Sequence, residues 1–239
     1  MFTLFTTDMN NIPCIIVNRD RLTSTQKLCY DLIALGYTNI HILDMESTYQ
    51  PLIDWYKCIG TAIKVHYLSN VGQQALWKGT IMKQFSDYPF VVYSDSDVEL
   101  NPNTPKGFIE QMILIAQDFR INKVGLGIEI NDLPDNELCN FIKGIESNYW
   151  NPNRRLQYGD LELYDSPIDT TFCVVRTNLP FSYQAVRIGG AYTCRHVPWY
   201  EQWDNLTEEQ QYFMDHADPQ FSTLKQHYLK WKAGRAITI

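Results

Sequence analysis

The residues best suited to chemistry lie in Pro89-Phe90-Val91-Val92-Tyr93-Ser94-Asp95-Ser96-Asp97-Val98. An apolar, β-prone run ends there in two carboxylates at positions i and i+2. Side chains with that spacing leave a strand on one side, so Asp95 and Asp97 are expected to converge on one point beyond its end. Two hard anionic oxygens at an open strand terminus suit Mn²⁺ or Mg²⁺, ions that keep positions free for water or phosphate oxygens. A departing diphosphate needs such an ion. By itself the triplet is weak evidence, because a solvated loop at a strand end has the same composition. An EF-hand calcium loop is excluded: Leu100 stands where its sixth-position Gly would be, and Lys106 replaces the bidentate Glu.

Further chemistry-bearing residues flank the pair. Arg195-His196-Val197-Pro198-Trp199-Tyr200 sets a histidine before a proline and two large aromatics that would wall a cavity. Its imidazole either completes a two-carboxylate, one-nitrogen site, favouring Mn²⁺, or is a satisfied structural group. Asp169 opens the run Asp169-Thr170-Thr171-Phe172 after the turn-forming Ser166-Pro167. A carboxylate there could take a proton from a substrate hydroxyl, a role worth ~10²–10⁴-fold in rate, or could cap the turn. Upstream, Asn18-Arg19-Asp20-Arg21, Asp44 and Ser69-Asn70-Val71-Gly72 each follow a strand-like run. They place polar groups where a nucleotide's base and ribose would lie, with Arg19 or Arg21 against a phosphate or stacked on a base. The same residues also read as surface turns. Trp77 and Lys78 offer an aromatic and a cation on one expected helix, although Trp77 alone reads as core.

The elements that must position these groups alternate in type. Strands are expected at 12–17, 39–44, 63–68, 90–94, 123–130, 169–176 and 191–197. Helices are expected at 23–35, 51–56, 73–85, 104–119, 136–150, 207–217 and 222–233. Thr23 and Gln26 match a capping box, and Pro105 stands at the first position of its helix. This alternation predicts one α/β domain over residues 1–239, with a mostly parallel central sheet and helices on both faces. Ligands of such sheets gather at the carboxyl ends of the strands.

Composition narrows the functional class. The chain has 239 residues, is 45% hydrophobic and carries a net charge of −7. No basic stripe exists to bind nucleic acid. The six cysteines form no CxxC pair, and Cys14, Cys29 and Cys173 fall in apolar runs, which points to reduced thiols and a cytoplasmic setting. Met1 to Asn11 lacks the pattern of a leader, and no run approaches the ~18 apolar residues of a transmembrane segment.

Together these residues resemble a glycosyltransferase of the GT-A (Rossmann-like) type. The likeness is to a group of bacterial and large-DNA-virus proteins that includes a chlorovirus capsid-glycosylating domain. It rests on Asn39 to Asp44, Ser47 to Tyr56, Asn70-Val71-Gly72, Tyr93 to Asp97, Asp132 to Asp135, Asp169 to Phe172 and Arg195 to Tyr200. These segments keep their order to about Tyr212. The resemblance implies that Asn18, Arg19, Arg21, Asp44 and Asn70 hold a nucleotide-diphosphate sugar, with Trp77 and Lys78 nearby. Asp95 would lie by the ribose and the metal, Asp97 would bind the metal, and His196 would be its third protein ligand. Glu146 and Trp150, with Trp199, would border a glycan or glycoconjugate acceptor. Met45-Glu46 and Asn18-Arg19-Asp20 depart from the group's usual pattern, which bears on nucleotide and sugar preference. The implied reaction moves a sugar, from UDP by preference, to an acceptor hydroxyl with inversion, Asp169 taking the proton. Two other readings stand beside it. A haloacid-dehalogenase-type phosphatase also uses Asp-x-Asp at a strand end, normally the first strand. A GT-A-like module could bind nucleotide-sugar or glycan without transfer.

Overall fold

Four apolar runs in the first hundred residues build the central layer. In the computed structural model, which describes residues 11–237, they are β1 (Cys14–Asn18), β2 (Ile40–Met45), β3 (Ile63–Leu68) and β4 (Phe90–Asp95). They pair in parallel in the order β3-β2-β1-β4. The remaining strands are β5 (Val98–Leu100), β6 (Lys123–Ile128), β7 (Arg155–Tyr158), β8 (Leu161–Asp165), β9 (Cys173–Arg176) and β10 (Val186–His196). One ten-stranded sheet results, in the order β3-β2-β1-β4-β9-β6-β10-β8-β7, with β5 pairing to β10.

This sheet is mixed, not mostly parallel. β9 runs antiparallel to both β4 and β6, while β8 and β5 run antiparallel to β10. Antiparallel neighbours need no helical crossover, and β7, β8, β9 and β10 follow one another without an intervening α-helix. The β7–β8 hairpin closes on Gly159-Asp160, with Gly159 at φ +54° as a tight hairpin turn requires.

The helices are α1 (Thr23–Ala34), α2 (Gln50–Cys58), α3 (Phe108–Asp118), α4 (Glu137–Glu146), α5 (Glu208–His216) and α6 (Thr223–Lys232). Leu28 and Leu32 of α1, Leu52 of α2 and Met112 of α3 bury against Ile16, Ile42, Val92 and Val124 on one face of the sheet. On the other face, Leu43, Val91, Tyr93 and Val175 are covered by Ala75, Leu76, Ile81 and Phe85. That covering segment is not the expected helix over 73–85. It is a series of turns with a 3₁₀ turn at Ile81–Phe85, broken by Gly72 and Gly79 at φ +77° and +90°.

Two helix starts also differ from expectation. Gly107, left-handed at φ +76°, precedes α3, so Pro105 lies before the helix and not at its first position. Thr23 does not cap α1. Its place is taken by Glu209 of α5, which accepts from the backbone N–H groups of Leu22 (2.9 Å) and Thr23 (3.1 Å) and from the Thr23 hydroxyl (2.6 Å). The working capping box is Thr207 with Gln210, at the start of α5. A carboxylate at a helix N-terminus meets both its unpaired donors and its positive end.

Five of the six cysteines are buried and all are free. Among the described residues no helix is long and apolar enough to cross a membrane. The expectation for Met1 to Asn11 falls almost wholly outside the described residues.

Glu209→Ala should lower stability by about 1 kcal/mol in urea unfolding, more than Glu208→Ala on the same turn. Equal effects would show that the distant cap contributes nothing.

Candidate active site

Asp95 is the last residue of β4, and Ser96 and Asp97 form the turn into β5. Convergence of the two carboxylates therefore comes from a turn, not from strand alternation. The turn is fixed by β10: Val197 donates its N–H to the Asp97 carbonyl at 2.8 Å, and Val98 pairs with His196. This brings His196 Nε2 to 3.5 Å from Asp97 Oδ1, close but not hydrogen-bonded. The Trp199 ring leans on the imidazole, with centroids 4.8 Å apart.

Asp169 reaches the same place from another element. The expected strand over 169–176 begins only at Cys173, and the preceding loop carries Asp169 and Thr170. Thr170 donates its hydroxyl to Asp95 Oδ2 (2.9 Å), while Asp95 N–H donates to the Thr170 carbonyl (3.1 Å). Gln73 Nε2 donates to Asp169 Oδ2 at 2.9 Å. Loss of water pushes the Asp95 carboxyl well above the usual carboxylate range, and Asp97 pushes it further. Asp169 is also raised by burial, with Lys123 and Gln73 opposing.

The loop after β1 forms the opposite wall. Arg21 is buried, donating from Nη1 to Glu201 Oε1 at 2.5 Å and stacking over Phe213, 3.9 Å from the ring centre. Burial raises the Glu201 carboxyl, with Arg21 opposing. Arg19 is more open, reaching the His216 carbonyl at 3.5 Å. Asp20, a left-handed residue at φ +53°, accepts from Thr48 and Tyr49 N–H at the start of α2. Asn18 donates to Tyr56 (2.8 Å), whose hydroxyl donates to Asp44 (3.0 Å).

Between these walls lies a cavity of about 530 Å³. Of the residues singled out in the sequence, Asn18, Arg19, Arg21, Asn70, Asp95, Asp97, Glu146, Asp169, His196 and Trp199 line it. Four do not. Asp44 sits behind Asn18 and braces the loop through Ser47 and Tyr56. Trp77 is packed edge-on against Tyr93 and Phe181, and Lys78 donates to the Val71 carbonyl. Trp150 packs on the sheet, its ring where a β-carbon of Gly127 would be, and edge-on to Tyr164. Glu146 does line the cavity but is held by Arg187, whose Nη1 donates to it at 2.7 Å.

Sequence reasoning missed Gln73, Thr170 and Arg187, and also Phe213 and His227 from the last two helices and Phe221 from the turn between them. Nothing local marks these residues. Their role comes from α5 and α6 folding back over the strand ends, with Phe221 against the backbone of Gly72.

The wall contains two complementary sets of unpaired buried atoms. Donors without hydrogen-bond partners are Arg21 Nε and Nη2 and Arg19 Nε, the last 3.7 Å from Asp20 Oδ2. Acceptors include Asp97 Oδ1, Asp169 Oδ1 and Asn18 Oδ1, and His196 Nδ1 is also without a partner. Buried polar atoms are normally satisfied by protein, water or a bound group, so this grouping marks the cavity wall as a candidate binding surface. Among the described residues no cluster of three or more His, Cys, Asp or Glu is already drawn together around one point. Asp97 with His196, backed by Asp95, fits an ion that takes most of its ligands from water and phosphate. Compared with known proteins, the chain matches no family model and no curated protein.

Raised carboxyls make the fold favour the protonated form, so their contribution to stability is lost as pH climbs from the ordinary value of 3.8 through the folded-state value. Asp95→Asn should therefore raise Tm at pH 8, and the gain should vanish below about pH 3.8. A gain that persists unchanged in acid would assign it to packing.

Proposed function

We propose that this protein is a metal-dependent glycosyltransferase of the GT-A type, taking its sugar from a nucleoside diphosphate. One observation carries the reading: residues with buried guanidinium nitrogens lacking hydrogen-bond partners (Arg19, Arg21) and residues with buried carboxylate oxygens lacking them (Asp97, Asp169) line a single cavity at the strand ends. A diphosphate satisfies the donors. A divalent cation riding on that diphosphate satisfies Asp97 and His196 and relieves the repulsion between Asp95 and Asp97. Neither ligand alone answers both walls.

Roles follow from position. Arg19 and Arg21 meet the diphosphate, Arg21 held rigidly by Glu201 and Phe213. Asn18 and Asn70 line the same cavity and are assigned to the base and ribose. Asp97 and His196 hold the ion, which when bound supplies positive charge to the leaving phosphate oxygen. Asp169 keeps Oδ2 on Gln73 and Oδ1 free. Burial raises its carboxyl, which makes it a stronger base toward a substrate proton. As the acceptor oxygen bonds to the anomeric carbon, its proton passes to Asp169. The bond to the phosphate oxygen breaks, and that electron pair leaves with the diphosphate toward Arg19 and Arg21. Attack opposite the leaving group gives inversion.

A thermal-shift panel of nucleotides and nucleotide-sugars with and without Mn²⁺ tests this. Ligand at a hundredfold excess over Kd should stabilise by ~2.7 kcal/mol, for UDP or a UDP-sugar only with the metal. Asp97→Ala should remove the metal-dependent part. Asp169→Asn should retain donor affinity and slow transfer ~10²–10⁴-fold. Absence of any nucleotide-dependent shift would end the proposal, and phosphate release from simple monoesters would replace it with a phosphatase.

A further inference from the structure

Lys123 is 2% exposed, one of the largest fully buried side chains in the protein. Burying an ammonium is unfavourable unless its donors are satisfied, and a methionine would fill the same volume. The bonds it makes explain its presence. Nζ donates to the carbonyls of Ile168 (3.1 Å) and Asp169 (2.9 Å), and the Phe181 ring centre lies 4.4 Å away. Both bonds go to the backbone that bears Asp169, not to a carboxylate.

β6 is shaped to receive that segment. Val124, Leu126 and Ile128 point into the first core, so Lys123, Gly125 and Gly127 face the other side. A β-carbon on Gly125 would lie 2.6 Å from Ile168 Cδ1 and 2.8 Å from the Phe172 carbonyl. The bare glycine lets the loop lie against the strand, and the lysine beside it ties the loop down. From above, Gln73 holds the Asp169 carboxylate and Thr170 joins Asp95.

We propose that Lys123 is a positioning residue, which seats the Ile168–Thr170 backbone and so fixes Asp169 and Thr170 against the end of β4. Its consequence for catalysis rests on the transferase reading above; its anchoring of the loop does not. The unbound third donor direction, turned to an aromatic face, keeps the ammonium without drawing water into the site.

Amide exchange and kinetics on Lys123→Met and Lys123→Arg decide the matter. In the Met variant, residues 168–172 should exchange about tenfold faster, the loss expected when a buried hydrogen bond goes, while β1 and β2 keep their protection. Transfer by that variant should show a kcat about tenfold or more below wild type, with donor Kd unchanged, and Arg should recover most of both effects. Unchanged exchange at 168–172, or a matching loss of donor affinity, overturns the proposal. Should the Met variant not fold, the wild-type protein labelled with ¹⁵N-lysine still serves. A solvent-protected ammonium signal with contacts to the Ile168 and Asp169 α-protons is expected, and one exchanging like surface lysines would overturn it. A wild-type protein that fails to transfer sugar defeats the transferase reading alone, since the exchange experiment still judges Lys123.

Discussion

One carboxylate at the end of β4, Asp95, whose charge is opposed by loss of water and by its neighbour Asp97, sets the terms for the rest of this molecule. Left to itself, Asp95 would turn away from Asp97 or take up a proton. The fold prevents the first through backbone: Val197 grips the carbonyl of Asp97, and β5 pairs with β10 on the far side of the turn. It accommodates the second by leaving Asp95 raised and bonded to Thr170. A carboxyl perturbed in this way inside a cleft marks a candidate functional site, and the proposed cation would relieve the repulsion.

The surrounding architecture is arranged to keep that place rigid. β9 enters between β4 and β6 in the antiparallel sense, so the loop before it must pass beside the β4 terminus. That loop carries Asp169. Small residues on β6 make the passage possible, since Gly125 accepts the loop and Gly127 accepts the ring of Trp150. Chain reversal and close packing thus bring to one spot residues more than seventy positions apart, as in the Thr170–Asp95 bond.

On the other side, charge is handled by pairing. Arg21 and Glu201 are both buried and joined at 2.5 Å, an arrangement whose solvation penalty is offset only with good geometry. Two nitrogens of Arg21 remain without hydrogen-bond partners. Glu201 follows the turn that bears His196 and Trp199, so the positive wall and the acidic wall are mechanically one unit. Helices α5 and α6 then close over both, and Glu209 ties α5 to the start of α1.

How much of this was legible depends on the range of the interactions involved. The first four strands could be read because each is a short apolar run, and β3 falls at the very residues its pattern marks, Ile63–Leu68. Helices α5 and α6 could be read from caps and spacing. The β7–β8 hairpin was not among the expected strands, although its residues alternate around Gly159-Asp160. Local pattern was misleading at 73–85, where apolar residues at helical spacing are buried by turns against the sheet, and at Thr23, where a side chain from α5 displaces the local cap.

For the site, the sequence alone determined which residue types could do chemistry: the acidic pair, Asp169, His196 and the arginines after β1, because hard anionic and cationic groups stand out wherever they fall. It also marked the strand ends as their location. Only the tertiary structure decided which of them meet. Asp44, Trp77 and Lys78 lie beside the right loops yet are spent on packing and bracing, whereas Lys123, Thr170, Gln73 and Arg187 carry no local signature and gain their roles from contact. Such contacts depend on strand order and on the direction of β9, properties of the whole sheet that no short window of sequence encodes.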